Sequence, residues 1–148
     1  MLLNQTVIYG LRAMSYLAYY EGKDPIRSQD LAKATCVPSH YLSKIMRRLT
    51  AAGIVSAQKG HHGGFQLARP SEKISFADIM NNLDFHFETD QCAFGWDECG
   101  TDQPCPLHPF WVDLKEKLQV WAEGSSLKDV VSQQDLPDFT GRCSRHGH

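Results

Sequence analysis

The sequence predicts a mainly α fold with one small β-hairpin, on three observations. Apolar residues recur at helical spacing in several separate segments. A glycine-rich tip, Lys59 to Gly64, lies between two short strand-like runs. A long amphipathic segment follows near the carboxyl end.

Thr6 is placed to cap a helix running to about Glu21, with Val7, Leu11, Met14, Leu17 and Ala18 on one face and Gly22 as the stop. Ser28 is expected to cap a short helix over 29–35, with Leu31 and Ala34 inward. Cys36-Val37-Pro38 reads as a tight turn. Ser39 then caps a third helix ending at Gly53, with Leu42, Ile45, Met46 and Leu49 inward. Two short helices about a three-residue turn match a helix-turn-helix. The other faces of the second helix carry Ser39, His40, Tyr41, Lys44, Arg47 and Arg48, which suit phosphate and base-edge contacts in a major groove. An ordinary solvated basic face is the alternative.

Runs over 54–58 and 65–68 are expected to pair as strands. Directly after a helix-turn-helix, their hairpin reads as a wing. Its glycines allow close approach to a backbone, and Lys59, His61 and His62 suit phosphates or a minor groove. His61 and His62 as a metal or proton site is a weaker reading, because adjacent side chains on a tip are expected to diverge.

Ser75 caps a helix over 76–83, with Phe76, Ile79, Met80 and Leu83 apolar. The long loop after it has the length of a functional or disordered segment. Leu107, Phe110, Trp111, Leu114, Leu118 and Trp121 then mark a helix over 107–122, stopped by Gly124, and Ser126 caps a last helix through Val131. Trp111, Leu114, Leu118 and Trp121 are too many large apolar groups for a helix with such short neighbours. Burial against a second copy of the chain is expected. The fold class is thus a winged helix-turn-helix plus a long dimerisation helix. Residues 1–83 form the DNA-binding unit, 84–106 a cysteine-rich loop, 107–133 the dimerisation helix with the short final helix, and 134–148 a disordered tail.

The net charge of −2 hides an asymmetry. Residues 1–70 hold nine Lys/Arg against three Asp/Glu, a net of +6; residues 71–148 hold six against fourteen, a net of −8. One basic half is expected when only that half touches a polyanion, here double-stranded DNA. No apolar run approaches a membrane span, and the stretch from Val7 to Tyr20 is broken by Gly10, Arg12 and Ser15. A cytoplasmic protein with no membrane partner is expected.

The loop carries Cys92, Cys99 and Cys105, and His108 lies one helical turn past the third cysteine. Thiolates with a neutral imidazole form the donor set of iron–sulfur clusters and of zinc. Gly95, Gly100 and Pro104 let the backbone wrap an ion. The spacing lacks the tight Cys-x2-Cys pairs of structural zinc sites. A loop disulfide with one leftover thiol, or redox-active thiols without metal, stays open. Cys36 is expected as a small buried hydrophobe, and Cys143 has no visible partner.

The segments Tyr9-Gly-Leu-Arg-Ala, Tyr41-Leu-Ser-Lys-Ile, Leu49-Thr-Ala-Ala-Gly-Ile-Val and Gly63-Gly-Phe-Gln-Leu-Ala-Arg-Pro, with the loop cysteines, resemble the winged-helix iron–sulfur regulators typified by IscR and NsrR, the Rrf2 family. The resemblance covers about residues 1–133. It implies a homodimer joined through the long helix and an iron–sulfur cluster whose state sets DNA affinity at promoters. Cys105-Pro-Leu-His108 matches the ligand pattern of the iron–sulfur assembly regulator. Ile8 stands where the nitric-oxide sensor has a ligating Asp. Both points imply a 2Fe–2S cluster on Cys92, Cys99, Cys105 and His108 rather than a 4Fe–4S cluster. Three departures stand out. Lys59, His61 and His62 replace the usual Arg, Pro and Gly of the wing, the first cysteine gap is one residue longer, and Ser43 replaces a Glu implied in switching between DNA motifs.

Two other functions compete with a cluster-sensing transcriptional regulator. One is the same fold with a structural zinc. The other is an interaction module that sequesters a protein through its acidic half. No carboxylate pair, phosphate-cradling loop or nucleophile–base arrangement points to an enzyme, and no small-molecule substrate is expected.

Overall fold

A computed structural model describes residues 3–87, 93–94, 102, 104–133, 138–139 and 143. Its elements in chain order are α1 (Gln5–Tyr19), α2 (Ser28–Thr35), α3 (Ser39–Ala51), β1 (Val55–Gln58), β2 (Gly64–Leu67), a 3-10 turn (Ser71–Lys73), α4 (Phe76–Asn81), α5 (His108–Gly124) and α6 (Leu127–Gln133). The mainly α fold with a β-hairpin wing is therefore present.

α1 lies at the centre and packs against α2, α3, α4, α6 and β2. It can do so because small and apolar residues alternate around it: Val7, Gly10, Ala13, Met14, Leu17 and Ala18 are all buried. At Gly10 the packing leaves no room for a side chain, since a Cβ there would collide with Leu83 Cδ1. The start of α1 differs from the Thr6 expectation. Asn4 is the cap, and its side chain accepts from Val7 N at 2.9 Å. Likewise Arg27 and Pro38, not Ser28 and Ser39, precede α2 and α3, so both serines are the first residues of their helices. In α2 the buried residues are Leu31, Ala32 and Thr35 rather than Ala34, and Thr35 Oγ1 donates to Leu31 O at 2.6 Å.

The α2–α3 turn needs a left-handed residue, and Cys36 supplies it at φ 59°. α3 then turns Leu42, Ile45, Met46 and Leu49 into the core, all four essentially inaccessible to solvent. Fully burying each such side chain contributes about 1.5–3 kcal/mol. β1 and β2 pair antiparallel from Val55 opposite Leu67 to Gln58 opposite Gly64. A third segment joins them: Ile26 and Phe65 exchange backbone hydrogen bonds of 3.0 and 2.8 Å. Gly64, at φ 150°, permits this, because a Cβ would collide with the Ile26 carbonyl.

The Ser75 cap of α4 is present as a full capping box. Asp78 N donates to Ser75 Oγ, and Ser75 N donates to Asp78 Oδ2, both at 3.0 Å. Ile79, Met80 and Leu83 pack into the core. α5 packs on α4 and buries only Ala122 fully, whereas α6 anchors on α1 and the 3-10 turn through Leu127. The 3-10 turn was not expected from the sequence. Apart from residues 138–139 and 143, the segment expected to be a disordered tail lies outside the described residues. No helix among the described residues is long and apolar enough to cross a membrane.

Candidate nucleic-acid interface and ligand loop

With four apolar residues of α3 in the core, its remaining faces must look outward. Ser39, His40, Tyr41, Lys44, Arg47 and Arg48 are all exposed there. Tyr41 is held in place: its ring meets Tyr9 edge-on at 5.5 Å and His40 at 5.0 Å. Arg12 in turn lies 5.6 Å over the Tyr9 ring. Aromatic pairs of this kind prefer such edge-to-face arrangements.

Arg48 is engaged in a way no local pattern announces. Its guanidinium donates to both carboxylate oxygens of Asp84 at 2.7 Å, a bidentate fork. Asp84 adopts φ 62° just after α4. The hydrogen bond from Arg48 is the main reason the Asp84 carboxyl is held below the usual carboxylate range, and the same bond raises Arg48. Both side chains remain open to water, at 40% and 71% exposure, so the pair positions more than it stabilises.

At the wing, Lys59, His61 and His62 are exposed at the tip. Gly60 at φ 91° and His62 at φ 62° make the reversal, closed by Gly63 N donating to Gly60 O at 3.0 Å. The two imidazoles do not diverge as expected: their ring centroids are 4.4 Å apart, on a tip where His62 has a left-handed backbone. No group of three or more His, Cys, Asp and Glu residues suited to a metal ion occurs among the described residues.

Two of the four expected ligands of the loop, Cys92 and Cys99, lie outside the described residues. The other two are brought together. Cys105 is buried immediately before α5, His108 is the first residue of that helix, and His108 N donates to Cys105 O at 3.0 Å. The two residues sit one turn apart at the start of α5. A soft thiolate and a borderline imidazole at that spacing fit an iron–sulfur cluster or zinc.

The residues expected at a subunit interface divide. Leu118 is half-buried against the chain's own core, while Trp121 touches Phe76 at 5.1 Å between ring centroids yet stays exposed. Leu114 is exposed and Trp111 half-buried. Phe110 at 73% exposure and Val120 at 65% are the more open apolar groups, and the sequence reading did not single them out for the interface. Their helical positions were legible, but which face the core would leave uncovered was not.

Cys36 and Cys143 also depart from expectation. The structure joins them as a disulfide with Cα atoms 5.7 Å apart. Cys36 is half-buried in the α2–α3 turn, not a buried hydrophobe, and Cys143 does have a partner.

Known proteins share this architecture. The solved structure of CymR (YrzC), the global cysteine regulator of B. subtilis, superposes with a TM-score of 0.77 at 23% identity, covering 90% of this chain and 98% of that one. T. potens IscR gives a TM-score of 0.69 at 24% identity, covering 88% and 85%. In sequence, a protein of Aquifex aeolicus described as an HTH-type transcriptional regulator is 31% identical over 137 residues, 91% of this chain and 94% of that protein. IscR of Klebsiella pneumoniae is 26% identical over 138 residues, 93% of this chain and 84% of that protein. These relatives are transcriptional regulators, not enzymes. The family model described as "Rrf2: Iron-dependent Transcriptional regulator" matches residues 3–133, with the helix-turn-helix, the wing and the Cys105–His108 turn all inside that span, and the chain belongs to the Rrf2 family of transcriptional regulators.

Proposed function

We propose that the chain is a homodimeric regulator whose affinity for promoter DNA is set by a 2Fe–2S cluster. Ser39, His40, Tyr41, Lys44, Arg47 and Arg48 would face the major groove, with Lys59, His61 and His62 of the wing at the backbone or minor groove. Cys92, Cys99, Cys105 and His108 would hold the cluster, and α5 would join two copies through the side of Trp111, Leu114, Leu118 and Trp121. In this division residues 1–83 bind DNA, 84–106 bind the cluster and 107–133 dimerise.

The observation that carries the cluster reading is the Cys105–His108 turn, a buried thiol and an imidazole one turn apart at the start of α5. The cluster would supply redox and ligand chemistry, and the chain's own part is to hold it and read its presence. Asp84 is the first residue of the cluster segment and already grips Arg48 of α3. Ordering or releasing the loop therefore has a direct route to the recognition helix.

Anaerobic purification with visible absorption, iron and acid-labile sulfide analysis tests the cofactor. The expected result is two irons and two sulfides per chain, an estimate set by the cluster type. Stoichiometric zinc without iron would replace the cluster by a structural metal and leave the DNA-binding reading intact. Loss of salt-sensitive duplex binding would instead favour a protein-sequestering module.

A further inference from the structure

We infer that Cys36 and Cys143 are a reversible thiol–disulfide pair, which links Cys143 to the turn of the helix-turn-helix when a low-molecular-weight disulfide oxidises it. Neither residue belongs to the proposed cluster ligands, and the inference does not rest on that reading.

Geometry is the first support. The two Cα atoms are 5.7 Å apart, at the commonest span of protein disulfides, about 5.5–6 Å. The residues are 107 positions apart in sequence, so neither local spacing nor a shared element forces them together. Access is the second. Both residues are half-buried rather than sealed in the core, the kind of environment in which thiol exchange occurs.

The third support is the position of Cys36. It occupies the left-handed residue that turns α2 into α3, three positions before Ser39. Arg12 Nη1 donates to Cys36 O at 3.5 Å and sets positive charge beside the place where a thiolate would form. Arg12 also stacks over Tyr9, which packs on Tyr41 of α3. A covalent link at Cys36 is thus joined by contacts to the outer face of the recognition helix.

The chemistry is thiol–disulfide exchange. The Cys36 thiolate attacks one sulfur of oxidised glutathione, forming a mixed disulfide and releasing one glutathione thiolate. The Cys143 thiolate then attacks the Cys36 sulfur, forming the intramolecular bond and releasing the second. Two thiols of the protein are oxidised, one glutathione disulfide is reduced, and the two protons end on two glutathiones. Excess glutathione runs the sequence backwards. In a reducing compartment the dithiol is the resting form, and a disulfide there acts as a transient, regulatory bond.

The test equilibrates the anaerobically purified full-length protein in glutathione buffers of rising oxidised fraction, traps thiols by alkylation and maps linked peptides by mass spectrometry. The expected result is a Cys36–Cys143 pair that accumulates with oxidation and disappears in excess glutathione. Its closed form should melt at a higher temperature than the dithiol, because the link restricts the unfolded chain. Cys143→Ser should abolish the link and the rise in melting temperature while leaving glutathione attached at Cys36. The proposal is overturned by the absence of the linked pair at every ratio. A link that excess glutathione cannot open overturns it too, as does a Cys143→Ser protein with no adduct on Cys36.

Discussion

Arg48 carries the charge a phosphate would want, yet its fork is already filled by Asp84. An arginine so engaged contributes to DNA binding only when the carboxylate lets go. Asp84→Asn should therefore release Arg48 and steepen the slope of log affinity against log salt for a non-specific duplex by about 0.9, one phosphate contact. An unchanged slope would show that Arg48 does not reach the backbone even when freed. The pH dependence follows from the lowered Asp84 carboxyl. A depressed carboxylate is charged, and the pair intact, above the ordinary carboxylate range; the pair is lost as pH falls through its lowered value. Carbon-detected NMR titration should place the Asp84 midpoint below that of an exposed Asp, and Arg48→Ala should restore it. Gly10 makes a different point at the same scale. Alanine would improve helix propensity by up to about 1 kcal/mol, but its Cβ collides with the fully buried Leu83. Overpacking of a tight core costs about 1–3 kcal/mol, so Gly10→Ala should lower stability in urea denaturation, and Leu83→Ala should partly relieve the clash. Neither the fork nor the collision was legible in the sequence, because each joins residues with no shared local pattern.

The helices themselves were legible because their apolar period is physical. A residue that repeats every three or four positions must face one side, and in α1, α3 and α4 that side is the core. Their starting residues were less so. Several polar residues flank the start of α1, and only backbone conformation decided that Asn4 rather than Thr6 caps it. For the ligand loop, chemistry was readable from cysteine and histidine spacing, whereas the burial of Cys105 depends on how α5 packs. α5 shows where periodicity stops informing. Its apolar residues ring much of the helix, and Phe110, Leu114 and Val120 stay exposed. Leu114→Ser, on the proposed interface and exposed in the single chain, should leave the monomer's melting temperature nearly unchanged but shift sedimentation at micromolar concentration from dimer to monomer. A substituted protein that still sediments as a dimer would move the interface off this residue. On α3, Lys44→Ala with Arg47→Ala should lower the salt slope by about 1.8, twice the single-contact value. An unaltered slope would remove this face from the phosphate backbone.

At the scale of the whole chain, basic residues concentrate in the half that folds into the helix-turn-helix and wing, and acidic ones in the half bearing the ligand loop and α5. That distribution orients the molecule toward a polyanion, and it disfavours contact by the loop. On the proposed reading, control by a cluster would therefore travel through the protein rather than through direct contact between loop and DNA. A titration of one operator with cluster-loaded and cluster-free protein under anaerobic conditions should give two different affinities, because a bound group can shift the balance of two states only if it distinguishes them. Equal affinities at every genuine operator would leave the loop without a regulatory role.

The backbone bridge between Ile26 and Phe65 has a consequence for the shape of the DNA that can be gripped. The wing is not a free finger: it is sewn to the chain that leads into α2, and Gly64 makes the stitch close. If α3 and the wing both contact DNA as proposed, this bridge restrains the span between them. A duplex would then have to present a groove and its neighbouring backbone at that span, and sites whose local groove width differs would be deformed to fit, at an energy that depends on their base sequence. Base steps that no side chain touches would then still be selected, by their stiffness.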